Sequence, residues 1–133
     1  MEESITYLSY EWRDAAEKKL REELTPEQMK FISTSMSSIY KNCADGKERY
    51  LYIKCEEGDL SEISVGEGES PQAEFKIIGN YDTFALITQA KLSSQKALMT
   101  GKLKLKGNMV KALKLASIAD RLNRVLAKIP AKY

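Results

Sequence analysis

The chain has 133 residues, 43% of them hydrophobic and 30% charged, with a formal net charge of +2. That length fits one domain, residues 1–133, able to bury roughly 65–70% of its unfolded surface. The composition reads as soluble and globular, and no apolar run approaches the ~18 residues of a membrane span.

In chain order, Ser9 is placed to cap a first helix over about 10–23, where Trp12, Ala16, Leu20 and Leu24 recur at intervals of four. Thr25-Pro26-Glu27-Gln28 predicts a short helical restart, with Thr25 as N-cap, Pro26 in the first turn and Gln28 closing a capping box. Residues 29–42 carry two conflicting signals. Met29, Ile32, Met36 and Ile39 keep a helical stripe, whereas the intervening serines and Thr34 are poor helix formers. A strand over about 34–42 is preferred, because Asp45-Gly46 signals a hairpin and residues 48–55 form an apolar partner. Gly58-Asp59 turns into a third strand over 60–66, with Ile63 and Val65 on one face. A Gly, Ser and Pro loop then leads to a fourth strand over 73–79, with Phe75 and Ile77 inward.

Asn80 is read as the N-cap of a helix over about 81–90, and a short helix near 94–99 follows. Leu103 and Leu105 then alternate with Lys102, Lys104 and Lys106, the period of a strand with one face buried. Gly107-Asn108 ends that strand and opens a helix whose stripe is Met109, Ala112, Leu113 and Ala116. Leu122, Val125, Leu126 and Ile129 carry the amphipathic pattern on, as a following helix, to Pro130. Strands gathered between helices predict an α+β fold of one sheet and one helical layer.

The run Gly101-Lys-Leu-Lys-Leu-Lys-Gly107-Asn108-Met109, preceded by Ser94-Gln95-Lys96-Ala97 and followed by Ala112-Leu113-Lys114-Leu115, closely resembles the end of the sterol carrier protein domain, also called the non-specific lipid-transfer domain. The resemblance extends back through Lys91-Leu92, Leu86, Phe84 and Asp82 to Phe75, about half of the chain. It implies a single five-stranded, mainly antiparallel sheet covered on one face by helices, with an apolar tunnel between the layers. For a generic α+β domain the apolar stripes would make a filled core. The resemblance instead implies that lipid contacts Trp12, Phe84, Ile87, Leu98, Met99, Leu103, Leu105, Met109, Ala112, Leu113, Ala116 and Leu122. Met99 and Met109 suit such a wall because thioethers adapt to varied apolar surfaces. The implied ligand is a fatty acid, fatty acyl-CoA, phospholipid or sterol-like lipid held non-covalently. An accessory module assisting a lipid-handling enzyme is the alternative.

Other chemistry is poorly supplied. Histidine is absent, which removes Ser-His-Asp and Cys-His catalysis and the usual transition-metal ligands. The carboxylate pairs Glu56-Glu57 and Glu67/Glu69 fall in turn-like stretches and read as solvated, so neither an enzyme nor a cofactor or metal is expected. Cys43 and Cys55 lack metal-ligand and redox-motif spacing and read as reduced thiols on strands, which facing strands would bring near one another.

Charge is unevenly distributed. Residues 1–90 carry 10 Lys plus Arg against 18 Asp plus Glu, and residues 91–133 carry 11 against 1. The basic end suits a solvated face, an anionic lipid head or a transient membrane surface. Nucleic acid is not expected, since no aromatics alternate with the lysines to stack on bases. The beginning lacks signal-peptide character and the ending Ala131-Lys132-Tyr133 differs from a Ser-Lys-Leu peroxisomal address, so the cytoplasm is the expected compartment. The oligomeric state is left open, and no polar group in the apolar wall stands out as a partner for a lipid head.

Overall fold

The computed structural model describes residues 5–133. The first helix, α1, spans Tyr10–Glu23 and buries Trp12, Ala16 and Leu20; the Ser9 side chain accepts a hydrogen bond from the Trp12 N–H at 3.1 Å. The box at Thr25 forms in both directions, with the Gln28 N–H donating to Thr25 Oγ1 at 3.2 Å and the Thr25 N–H donating to Gln28 Oε1 at 3.0 Å. No helix follows it. Lys30 and Phe31 both take φ of 53°, and two successive left-handed residues turn the chain out of any right-handed helix.

Strands β2 (Thr34–Lys41), β3 (Arg49–Glu56) and β4 (Asp59–Glu67) form an antiparallel meander; β1 (Ile5–Thr6) lies apart from them. The β3–β4 turn is Glu57-Gly58, with φ of 48° and 83°, the double left-handed geometry that matches strand twist in a two-residue hairpin. The chain then crosses the back of the sheet to β5 (Phe75–Asn80), which pairs in parallel with β2. This crossing accounts for the serines that obscured β2 in the sequence. Ser37 Oγ donates to the Pro71 carbonyl at 2.7 Å, and the Glu74 and Glu57 N–H groups donate to Ser35 and Ser33 Oγ at 2.8 and 2.9 Å. The odd-numbered serines thus bind the connecting segments, while Met36, Ser38 and Tyr40 face the other way.

Helices α2 (Tyr81–Thr88) and α3 (Ser94–Met99) precede β6 (Lys104–Lys106), which pairs antiparallel with β5. The sheet order is β4-β3-β2-β5-β6, mixed because of the β2–β5 pair. Asn80 occupies the N-cap of α2, but its side chain accepts from Asn42 Nδ2 at 2.6 Å instead of capping the helix. Asn108 does cap α4, accepting from the Lys111 N–H at 3.0 Å. Helix α4 runs unbroken over Met109–Leu126, where the sequence pattern predicts two helices; no Gly or Pro interrupts it. β7 (Ala131–Lys132) pairs in parallel with β1.

Helices α1, α2, α3 and α4 sit on one face of the sheet. α1 packs on β4, α2 on β2 and β5, and α4 chiefly on the other three helices. Helix α4 is therefore a lid held by its neighbours. Cys43 lies in the loop after β2 instead of on a strand; both thiols are free and buried, and burial raises the pKa of each. Among the described residues no helix is long and apolar enough to cross a membrane.

Candidate functional site

Between α4 and the sheet lies a cavity of about 120 Å³. Its floor is the front face of β2, where Thr34, Met36, Ser38 and Tyr40 all contribute, together with Leu51, Ile53 and Cys55 of β3 and Phe75 and Ile77 of β5. Six residues separate Thr34 from Tyr40, so the cavity runs roughly 20 Å along the strand at ~3.3 Å per residue. Among the described residues no charged side chain lines it. It is an elongated apolar slot.

Helices supply the roof and sides. Phe84 and Ile87 come from α2, Leu98 from α3, Leu103 from the segment before β6, and Ala112, Ala116 and Leu122 from α4. Three alanines of α4, Ala112, Ala116 and Ala119, line the slot and leave space that larger side chains would fill. Gly79 keeps the β5 side open: a Cβ there would stand 2.5 Å from Leu103 and 3.2 Å from Phe84.

Five residues assigned to lipid contact lie outside this lining. Met99 is 70% exposed and Met109 44% exposed, because they occupy the last turn of α3 and the first turn of α4 at the rim of the helical layer. Leu105 and Leu113 are half-buried against the core. Trp12 is fully buried, but it belongs to an aromatic plug beyond the slot, its ring edge-on to Tyr7 with centroids 4.9 Å apart. Its Nε1–H has no hydrogen-bond partner among the described residues. The thioethers that do line the slot are Met29 and Met36. The hairpin signal at Asp45-Gly46 points to β2 and β3, and residues two apart on a strand share a face, which places Met36, Ser38 and Tyr40 together and Leu51 with Ile53; Met29 sits on a helical stripe that the structure does not form.

The two ends of the slot differ. At the Tyr40 end it is sealed: Tyr7, which follows β1, packs on Tyr81 and Tyr133, and Tyr40 stacks on Phe84 with centroids 4.3 Å apart. Tyr7 OH is hydrogen-bonded at 2.6 Å to both Tyr40 OH and Thr88 Oγ1. Burial pushes the Tyr7 and Tyr40 hydroxyls well above their ordinary ionisation range, so both stay neutral. At the Thr34 end a second hollow of about 180 Å³ adjoins the slot, sharing Met29, Cys55 and Leu122 and adding the charged Arg21 and Asp59. One end is thus neutral and closed, the other wetter and charged. Among the described residues no cluster of His, Cys, Asp or Glu is arranged to hold a metal ion.

The lysines at 102, 104, 106, 111 and 114 are all exposed, and Lys111 is paired with Glu74. Gly107 has φ of 139° and its Cα lies so close to Phe75 that a Cβ would stand 2.9 Å from that ring, which explains glycine between β6 and α4.

The model of the SCP-2 sterol transfer family matches residues 14–120. Non-specific lipid-transfer protein-like 1 of Caenorhabditis elegans is 34% identical over 94 residues, covering 71% of this chain and 76% of that protein. Hydroxysteroid dehydrogenase-like protein 2 of Bos taurus is 36% identical over 83 residues, 62% of this chain but only 19% of that protein's length. Among solved structures, the crystal structure of sterol carrier protein 2 matches with a TM-score of 0.79 and 23% identity over 92% of this chain and 98% of that one. Fold and sequence agree, and the chain belongs to the SCP-2 sterol transfer family.

Proposed function

We propose that this chain binds a lipid non-covalently in the slot between α4 and the sheet and carries it between lipid-rich surfaces. The observation that supports this most is the slot itself, some 20 Å long, apolar, floored by β2, β3 and β5 and lined by no charged side chain among the described residues. Membership of a family named for sterol transfer supports it as well. The guest class is an aliphatic or sterol-like lipid, and the reading includes no covalent step.

At about 120 Å³ the slot is smaller than the ~300–1,000 Å³ of most ligand sites. A full-length chain therefore needs α4 to move away from the strands. Each buried methylene returns roughly 0.8 kcal/mol, so a chain of ten methylenes contributes about 8 kcal/mol toward that opening. The test is native mass spectrometry of the purified protein with organic extraction, followed by melting curves with added fatty acid. Co-purified lipid, or saturable uptake with a raised Tm, is expected. Absence of lipid together with a melting temperature indifferent to delipidation and to fatty acid refutes it.

The exposed lysines would speed encounters with anionic vesicles, since charge acts mainly on association rate. Transfer rates that ignore both salt and replacement of Lys102, Lys104 and Lys111 by Glu refute that role. An accessory role is favoured by one observation: the matching region is a small part of hydroxysteroid dehydrogenase-like protein 2. Light scattering and pull-down that reveal a stable protein partner in the absence of lipid would support it.

A further inference from the structure

The closed end of the slot gathers hydroxyl groups that a guest can reach. Tyr7, Tyr40 and Thr88 carry three hydroxyl hydrogens, and two hydrogen bonds join them, both through Tyr7. Those two bonds occupy two of the hydrogens, and the third, on Tyr40 or on Thr88, has within the cluster only the other of that pair to turn to. Tyr7 donates to only one neighbour, so if it donates to Tyr40 the spare hydrogen is on Tyr40, and if it donates to Thr88 the spare is on Thr88. Both of these residues line the slot, whereas Tyr7 does not. The third arrangement, with both neighbours donating to Tyr7, strands the Tyr7 hydrogen among aromatic rings and is the most costly.

Ser38 adds a second unused donor. It precedes Tyr40 by two residues on the same face of β2, is 4% exposed, lines the slot, and makes no side-chain hydrogen bond among the described residues. Buried hydroxyls are ordinarily paired, and these two face an apolar space. Resting on the lipid-binding reading, we propose that the Tyr40, Thr88 and Ser38 hydroxyls form a recognition site for an uncharged oxygen at the inner end of the lipid, a hydroxyl, ketone or ester carbonyl. A carboxylate or phosphate does not fit there, because among the described residues no cationic side chain lines the slot to offset its desolvation. A charged head belongs at the opposite end, in the hollow beside Arg21. A chain ending in a methyl group leaves the spare donors unanswered.

The experiment is partition of radiolabelled 1-hexadecanol and hexadecane, delivered from cyclodextrin, into the full chain. The native protein should favour the alcohol about tenfold, a hydrogen bond plus relief of an unpaired donor. The combined variant Tyr7→Phe, Ser38→Ala, Tyr40→Phe and Thr88→Val removes the three linked hydroxyls and that of Ser38 together, so that none of them loses its partner alone, and should bring the ratio close to one. Should that variant not fold, the pair Ser38→Ala and Thr88→Val keeps the Tyr7–Tyr40 bond and should lower the ratio at least threefold. Equal uptake of both probes by the native chain overturns this inference while lipid binding stands. A preference unchanged in the variants also overturns it, and uptake of neither probe overturns both readings.

Discussion

Two buried alanines separate a slot from a filled core. Ala116 lies on the inward face of α4 and lines the cavity, whereas Ala16 lies on α1, is fully buried and does not. Replacement of each by Phe adds the same ring in two different settings. Leaving about 120 Å³ empty costs about 3 kcal/mol at ~24 cal/mol per Å³. A ring that fills part of that space gains about 2 kcal/mol from burial, set against roughly 1–3 kcal/mol for imperfect fit. Ala116→Phe should therefore leave stability within about 1 kcal/mol of the native chain, and Ala16→Phe should lose about 1–3 kcal/mol because no space receives it. In a thermal scan these correspond to a Tm shift of no more than ~4 °C and a fall of up to ~12 °C. Lipid uptake should fail in Ala116→Phe in spite of its intact fold. The reasoning is refuted if Ala116→Phe takes up lipid with native stoichiometry, or if it unfolds as readily as Ala16→Phe.

Gly79→Ala should cost about 1–3 kcal/mol and weaken uptake together, since the new methyl displaces Leu103 and Phe84 from the slot wall; denaturant midpoint and lipid partition measure the two effects. Asn108→Ala removes the cap of α4 and should cost about 1 kcal/mol, read as a lower urea midpoint at unchanged slope. Alkaline titration provides a test of the closed end. Burial raises the folded-state ionisation of Tyr7 and Tyr40 above the ordinary 10.0, so their contribution to stability is complete below that pH and is lost as pH rises toward the folded values. Absorbance near 295 nm should show Tyr7 and Tyr40 ionising only as the chain unfolds; ionisation of both with the fold intact would show that the cluster is open to water.

Sequence alone determined most of the elements and the order of the layers. Period-two alternation at residues 103–106, the caps at Ser9 and Asn108, and the apolar stripe of α4 are local features, governed by backbone hydrogen bonding and side-chain direction, and they appear where the pattern places them. The family was legible for the same reason, in the run from Gly101 to Leu115. Local signals failed where a partner distant in the chain decided the outcome. The serines of β2 look unsuited to regular structure until the crossing segment that they bind is in place, and the box at Thr25 looks like a helix start until Lys30 and Phe31 turn left-handed. The site depended still more on tertiary structure. Met99 and Met109 have the right chemistry for an apolar wall, yet helix position leaves them at the rim, while Met29, Ser38 and Tyr40 come to the slot through pairing and crossing. Periodicity tells which face of an element is buried. What that face meets, whether another side chain or empty space, is fixed only when α4 is held off the strands by three other helices.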